Sequence, residues 1–184
     1  MVTVFFAEGF EEIEALMPLD ILRRAGLDVK SVSIGERTVT GSHGIPVVCD
    51  CLSSEIDLDN IELLILPGGM PGSLNLDKSD FVDKAIAKVS QNGGRIAAIC
   101  AAPLILGRRG LLKGKKATCY PGFEDELIGA HTVSDSFVTD GNITTARGMG
   151  VALNFAKELV RLMLGDSAKE KISKSIEENN VSKN

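Results

Sequence analysis

The sequence predicts an α/β protein in which a mostly parallel central sheet carries helices on both faces. Three observations lead there. Short apolar runs alternate with longer segments of helical period along most of the 184 residues. Two of the runs, Leu63-Leu64-Ile65-Leu66 and Ile96-Ala97-Ala98-Ile99, are apolar at every position and suit strands buried on both faces. Each of these ends in small residues that open a new segment, Pro67-Gly68-Gly69 after the first and Cys100-Ala101-Ala102 after the second.

The first strand is expected over residues 2–6 and is followed by a helix over about 11–25, in which Ile13, Leu16, Met17, Ile21 and Leu22 recur at helical spacing. That face packs on the sheet or on a partner, and Gly26 ends the helix. A strand over 28–34 comes next, then 38–40 and 45–48, separated by Gly41 and Gly44, as a small β-excursion. The strand at 63–66 and a helix over about 81–91, closed by Gly93-Gly94, precede the strand at 95–99, which belongs in the middle of the sheet. A helix over about 102–109 and a short strand over 117–119 follow. Residues 137–139 and 143–145 flank Asp140-Gly141-Asn142, a hairpin turn, and a helix over about 150–164 packs back on the sheet. The tail over 168–184 is polar, with Ile172 and Ile176 four residues apart, and its last residues are expected to fray. No repeat, linker or low-complexity tract divides the chain, so residues 1–184 read as one domain, with a C-terminal helix and polar tail from about 167.

Composition narrows the functional classes. No segment approaches the run of about 18 apolar residues that a membrane span needs. The N-terminus reaches glutamates after a short apolar run, without a basic leader, so the cytoplasm is the default compartment. Net charge is −5, and the cluster Arg108, Arg109, Lys113, Lys115 and Lys116 reads as a solvated helix end, so nucleic acid is not an expected partner. Cys49, Cys51, Cys100 and Cys119 are expected to be thiols; a lone C-x-C pair lacks the second pair that a zinc site needs, and no metal is expected. No G-x-G-x-x-G or phosphate-binding loop follows the first strand, and AEGFEE puts acid where a phosphate would sit, so no nucleotide, flavin or other cofactor is expected.

The chemistry centres on Cys100. It stands directly after a buried strand and before a helix, at the carboxyl edge where open parallel sheets build their sites. Ala101 and Ala102 leave room for a tight turn, and Pro103 suits a first helical turn. The amide groups and positive end of that helix are expected to lower the thiol pKa. A buried structural cysteine is the plain alternative. Gly68-Gly69 lets a backbone N–H approach closely, and with the Ala101 N–H it forms a candidate oxyanion hole. Glu11 and Glu12 read as acids favoured by a helix N-terminus. Glu14 differs: Pro18 cannot donate to its carbonyl, and if the resulting distortion turns Glu14 inward, burial keeps it protonated as a hydrogen-bond donor to sulfur and as general acid/base.

AICAAP at 98–103, LPGG at 66–69 and GFEEIEA at 9–15, together with GSHGI at 41–45 and TARGMG at 145–150, resemble the ThiJ/PfpI superfamily in its DJ-one deglycase branch. The resemblance covers nearly the whole chain. It implies a flavodoxin-like three-layer sandwich and a homodimer in which the first helix contributes, through Ile13. It puts the reactive cysteine on Cys100, the protonated glutamate on Glu14 and the oxyanion-type donors on Gly69 and Ala101, with Gly68 beside them. It further implies a cofactor-free glyoxalase or deglycase, of the hydrolase or lyase type, acting on a small carbonyl substrate such as methylglyoxal or on its early thiol and amine adducts. Oxidation of the cysteine under peroxide stress and a holdase role are implied as well, and a non-catalytic redox sensor or chaperone using the same thiol stands as the alternative function.

Two departures matter. The protease-like branch has histidine where this chain has Ala101, so peptidase chemistry lacks its base. The deglycase branch often has histidine where this chain has Tyr120, a poor base at neutral pH. Tyr120, Arg147, Gly148 and His43 are expected around the pocket, although His43 by its place in the β-excursion, and His131 before a strand, read as surface or interface residues. Cys119 is either a resolving thiol for an oxidised Cys100 or a plain buried cysteine.

Overall fold

The computed structural model describes residues 1–177. In chain order the elements are β1 (Val2–Phe6), α1 (Glu12–Arg24), β2 (Val29–Ser33), β3 (Thr38–Thr40), β4 (Pro46–Val48), β5 (Cys51–Leu52), β6 (Leu63–Leu66), α2 (Gly72–Asp77), α3 (Asp80–Gln91), β7 (Arg95–Ile99), α4 (Pro103–Arg108), β8 (Lys116–Ala117), β9 (His131–Thr132), β10 (Phe137–Asp140), β11 (Ile143–Ala146), α5 (Ala152–Leu164) and α6 (Asp166–Ser175). A seven-stranded sheet runs β10-β11-β7-β6-β1-β2-β5. Its pairings are parallel except for the β10–β11 hairpin. β3 and β4 form a separate antiparallel hairpin, and β8 pairs with β9.

Alternation along the strands builds two apolar layers, because successive side chains leave a strand on opposite faces. Phe5, Leu64, Leu66, Ile96 and Ala98 pack with Val82, Ile86 and Val89 of α3 and with Leu104 and Ile105 of α4. Val4, Phe6, Ile65, Ala97 and Ile99 pack with Leu19 and Leu22 of α1 and with Phe155 and Leu159 of α5. This is the flavodoxin-like α/β sandwich that the sequence predicts. Among the described residues, no helix is long and apolar enough to cross a membrane.

Two local features differ from expectation. β5 and α2 carry no sequence signal: one is a two-residue edge strand and the other is six residues of Gly, Ser, Leu, Asn and Asp without an apolar period. The strand expected at 117–119 is β8, and it ends at Ala117. The C-terminal helix expected from about 167 is α6, which docks by burying Ile172 against the α1 and α5 layer. The expected frayed end lies outside the described residues.

The chain runs outward from β1 to β2 and β5, then returns to β6 on the other side of β1. That reversal makes the β1/β6 boundary a topological switch point, and the loops after β1, β6, β7 and β11 gather at its carboxyl edge. The two loops nearest it interlock: the Glu11 N–H donates to the Gly68 carbonyl at 2.9 Å and the Gly72 N–H to the Gly9 carbonyl at 3.1 Å. Pro71 fills the space beside Gly9, where a Cβ would stand 2.5 Å from its Cδ.

Candidate active site

Cys100 turns the chain out of β7 with φ at 65°, a left-handed conformation shared by only one other non-glycine among the described residues, Glu177. Holding a non-glycine there costs about 1–3 kcal/mol and persists only where the surroundings enforce it. They do: the Cys100 N–H donates to the Ala146 carbonyl at 2.9 Å, and its carbonyl accepts the Tyr120 N–H at 2.8 Å. The thiol is left half-buried at the switch point. This is the geometry of a nucleophile elbow.

Glu14 reaches the same spot from α1 and is 1% exposed. Its inward direction follows from helical phase, since Glu14, Ala15, Pro18, Leu19, Ile21 and Leu22 form the buried face, and α1 runs on through Pro18. A distortion at Pro18 is therefore not what turns it. Glu11 caps the helix, its Oε2 accepting the Glu14 N–H at 2.7 Å. The Glu14 carboxyl accepts the Gly68 N–H on Oε2 at 3.0 Å, accepts the Met149 N–H, and shares a hydrogen bond with the Cys100 thiol.

The two glycines after β6 divide their work. Gly68 was grouped with the anion donors by sequence, but its N–H is engaged by Glu14, so it sets the carboxyl. A Cβ on Gly68 would overlap Glu14 Oε2 and stand 2.5 Å from Cys100 Cβ. The N–H groups of Gly69 and Ala101 instead converge on the Cys100 sulfur. Gly69 has φ at 91°, and a Cβ there would run into the backbone of Gly9, Phe10 and Glu11.

The electrostatics correct the expected low thiol pKa. Burial, then the Glu14 charge and its hydrogen bond, push the Cys100 thiol up to about 12, against the pull of the Ala101 and Gly69 N–H groups. Burial also raises Glu14 to about 7, with the Glu11 charge adding to it, while its hydrogen bonds with Cys100, Gly68 and Met149 oppose the shift. The helix end that the sequence points to is outweighed by desolvation and a neighbouring carboxyl. Between about 7 and about 12 the pair holds one proton. At neutral pH, Glu14 is thus poised to take the thiol proton as sulfur attacks.

Tyr120 and Gly148 border the pair. A Cβ on Gly148 would stand 3.3 Å from the Tyr120 ring and 3.7 Å from Glu14 Oε1. Arg147 lines an adjoining cleft with Glu124, Thr132, Val133 and Ser134. His43 is not beside the thiol; its N–H and Nδ1 lie 2.8 and 2.9 Å from the two Glu12 carboxylate oxygens. Glu12 is the residue that sequence reasoning undervalued, because it is 3% exposed and fastens the 41–45 turn to α1. The signal for it was Gly41, where any Cβ would collide with the Glu12 carboxyl. Cys119 packs in the apolar layer on the α3 and α4 side, whereas Cys100 packs on the α1 and α5 side. His131 is exposed on β9. Glu11, Glu12 and His43 bring three metal-ligand atoms within 4.8 Å of one another, but these groups already serve the Glu14 N–H and the 41–45 turn. Two larger surface cavities, one lined by Ile61, Asn92, Arg95 and Met163 and the other by Lys30, Asp50, Cys51 and Asp57, open at the amino ends of the strands, away from the thiol.

A strand-end thiol that shares a proton with a buried carboxyl at the switch point places the protein among the cysteine-elbow α/β proteins. Residues 1–162 match the model of the DJ-1/PfpI family, and the chain belongs to that family. It is 41% identical over 170 residues to the Arabidopsis thaliana protein DJ-1 homolog B, covering 91% of this chain and 39% of that longer protein. A deglycase from Pyrococcus abyssi is 33% identical over 165 residues, covering 88% of this chain and 98% of its own length. The structure of oxidized Toxoplasma gondii DJ-1 superposes with a TM-score of 0.91 at 33% identity, covering 95% of this chain and 96% of that one.

Proposed function

We propose that the protein is a cysteine-dependent glyoxalase or deglycase acting on methylglyoxal or its early thiol and amine adducts. The observation that carries the reading is the shared hydrogen bond between Glu14 and Cys100, with the Gly69 and Ala101 N–H groups on the sulfur. As Glu14 takes the thiol proton, sulfur adds to the aldehyde carbon of the 2-oxoaldehyde. The resulting oxyanion is held by the Gly69 and Ala101 N–H groups and is protonated to a thiohemiacetal. Glu14 then removes the C1 hydrogen as a proton and returns it at C2, so that C1 is oxidised to a thioester and C2 reduced to an alcohol. Water cleaves the thioester, releasing the 2-hydroxy acid and restoring the thiol. Electrons stay within the substrate, and the only co-reactant is water. The archaeal relative's name supports the deglycase variant, in which an amine leaves.

Purified protein is expected to convert methylglyoxal to lactate. Cys100→Ser should abolish turnover and Glu14→Gln should lower it about 10²–10⁴-fold, the usual contribution of one general acid–base. Wild type no faster than Cys100→Ser would end this reading. A second reading, a redox sensor or holdase, is favoured by the half-buried thiol and the oxidized form of the Toxoplasma relative. Two oxygens added to Cys100 by mild peroxide, without dicarbonyl turnover, would select it. The reading includes a cytoplasmic homodimer packed through α1, where Ile13 is 41% exposed. Sedimentation of Ile13→Glu should then report a monomer.

A further inference from the structure

Three residues with exposed apolar side chains stand on the loops that build the Cys100–Glu14 site: Tyr120 at 51%, Met149 at 54% and Met70 at 45% exposure. Scattered surface apolar residues need no explanation, but these are tied to the reacting groups by backbone. The Tyr120 N–H is bonded to the Cys100 carbonyl. The Met149 N–H is bonded to the Glu14 carboxyl. Met70 follows Gly69, whose N–H meets the sulfur. Gly148 lets the Tyr120 ring lie close against the chain that leads to Met149, since even a Cβ there would touch the ring.

A 2-oxoaldehyde with C1 on the sulfur, its oxygen toward Gly69 and Ala101, and its mobile proton toward Glu14 has its remaining substituent left to run outward, over the surface that the Tyr120, Met149 and Met70 loops form. We infer that Tyr120, with Met149 and Met70, forms a specificity wall, and that the site prefers 2-oxoaldehydes carrying an apolar substituent of several carbons over glyoxal. The inference rests on the glyoxalase reading above and adds the substrate class. The Tyr120 ring is the working surface and its hydroxyl is dispensable, because the ring edge is the part that faces the site: a Cβ built on Gly148 would stand 3.3 Å from that edge and 3.7 Å from Glu14 Oε1.

The test compares kcat/KM for isobutylglyoxal and glyoxal in wild type, Tyr120→Ala and Tyr120→Phe, with circular dichroism to verify folding. In a hydrophobic site, added carbons are discriminated by about tenfold or more. The ratio of isobutylglyoxal to glyoxal should therefore fall about tenfold in Tyr120→Ala and be restored in Tyr120→Phe. An equal ratio in wild type and Tyr120→Ala, with glyoxal still consumed, would overturn the specificity wall and leave the glyoxalase reading standing. Loss of the ratio in Tyr120→Phe would overturn the assignment to the ring. Neither aldehyde consumed faster by wild type than by Cys100→Ser would overturn the glyoxalase reading itself, and this inference with it.

Discussion

Replacing Gly68 by alanine tests how tightly the pair is built. Gly68 does not have a positive φ, so the added methyl carries no backbone penalty and its whole effect is steric. The methyl would overlap Glu14 Oε2, stand 2.5 Å from Cys100 Cβ and 3.0 Å from the Ile99 carbonyl, and two of these three neighbours are anchored to the elbow itself. Overpacking a rigid site costs about 1–3 kcal/mol, and straining the Gly68 N–H bond to a carboxylate adds roughly 1–2 kcal/mol. For a chain of this size a loss of about 2–5 kcal/mol lowers Tm by roughly 5–20 °C. Straining that N–H bond also weakens one of the contacts holding Glu14 down, so its pKa should rise further above about 7. Thermal unfolding and the pH profile of Cys100 alkylation read the two effects, with Gly35→Ala, where nothing lies within 4 Å, as a neutral control. An unchanged Tm together with an unchanged profile in Gly68→Ala would refute the packing argument.

The Glu12–His43 contact should be pH-dependent in a defined window. Pairing raises His43 above its ordinary 6.5, and against the upward push of burial the hydrogen bonds from His43 and nearby backbone N–H groups hold Glu12 below its ordinary 4.5, so the stabilisation is lost as pH rises through the first folded value or falls through the second. Urea midpoints of wild type and His43→Ala should differ most near pH 6, and the difference should shrink as pH rises through the folded His43 value. Arg109 donates to Asp77 Oδ1 at 2.6 Å, to the Asp77 carbonyl at 2.7 Å and to the Ile105 carbonyl at 2.9 Å, binding α2 to α4. Arg109→Ala should cost about 2 kcal/mol in urea unfolding, with little recovery in Arg109→Lys, because a single ammonium cannot replace the fork. Asp77 is held below its ordinary 3.8 chiefly by these arginine hydrogen bonds, which outweigh its burial, so that deficit should shrink on acidification through the folded value.

The fold was legible because the strands that form the middle of the sheet are apolar on both faces, a pattern that helices and edge strands rarely carry. Cys100 was legible for the same reason, since the residue after such a strand must emerge at the carboxyl edge. Glu14 was found, but by an argument through Pro18 that the structure replaces with helical phase. The thiol's titration was misjudged because the sequence displays the helix start, whereas burial is a product of the tertiary fold and the Glu14 charge comes from a residue 86 positions away in the chain. Glu12 was read only as an acid at a helix start because its partners, His43 and Ile45, belong to a hairpin whose docking on α1 leaves no mark beyond a glycine at 41.

The account turns on one proton shared by Cys100 and Glu14, and the rate of Cys100 alkylation by iodoacetamide between pH 5 and 10 tests it most directly. Wild type should gain reactivity through an inflection near the Glu14 value of about 7. Glu14→Gln should lose that inflection and, with burial still acting on the sulfur, react appreciably only above the ordinary thiol value of about 8.5. Superimposable profiles for the two proteins, or a wild-type inflection at that ordinary thiol value, would contradict the account.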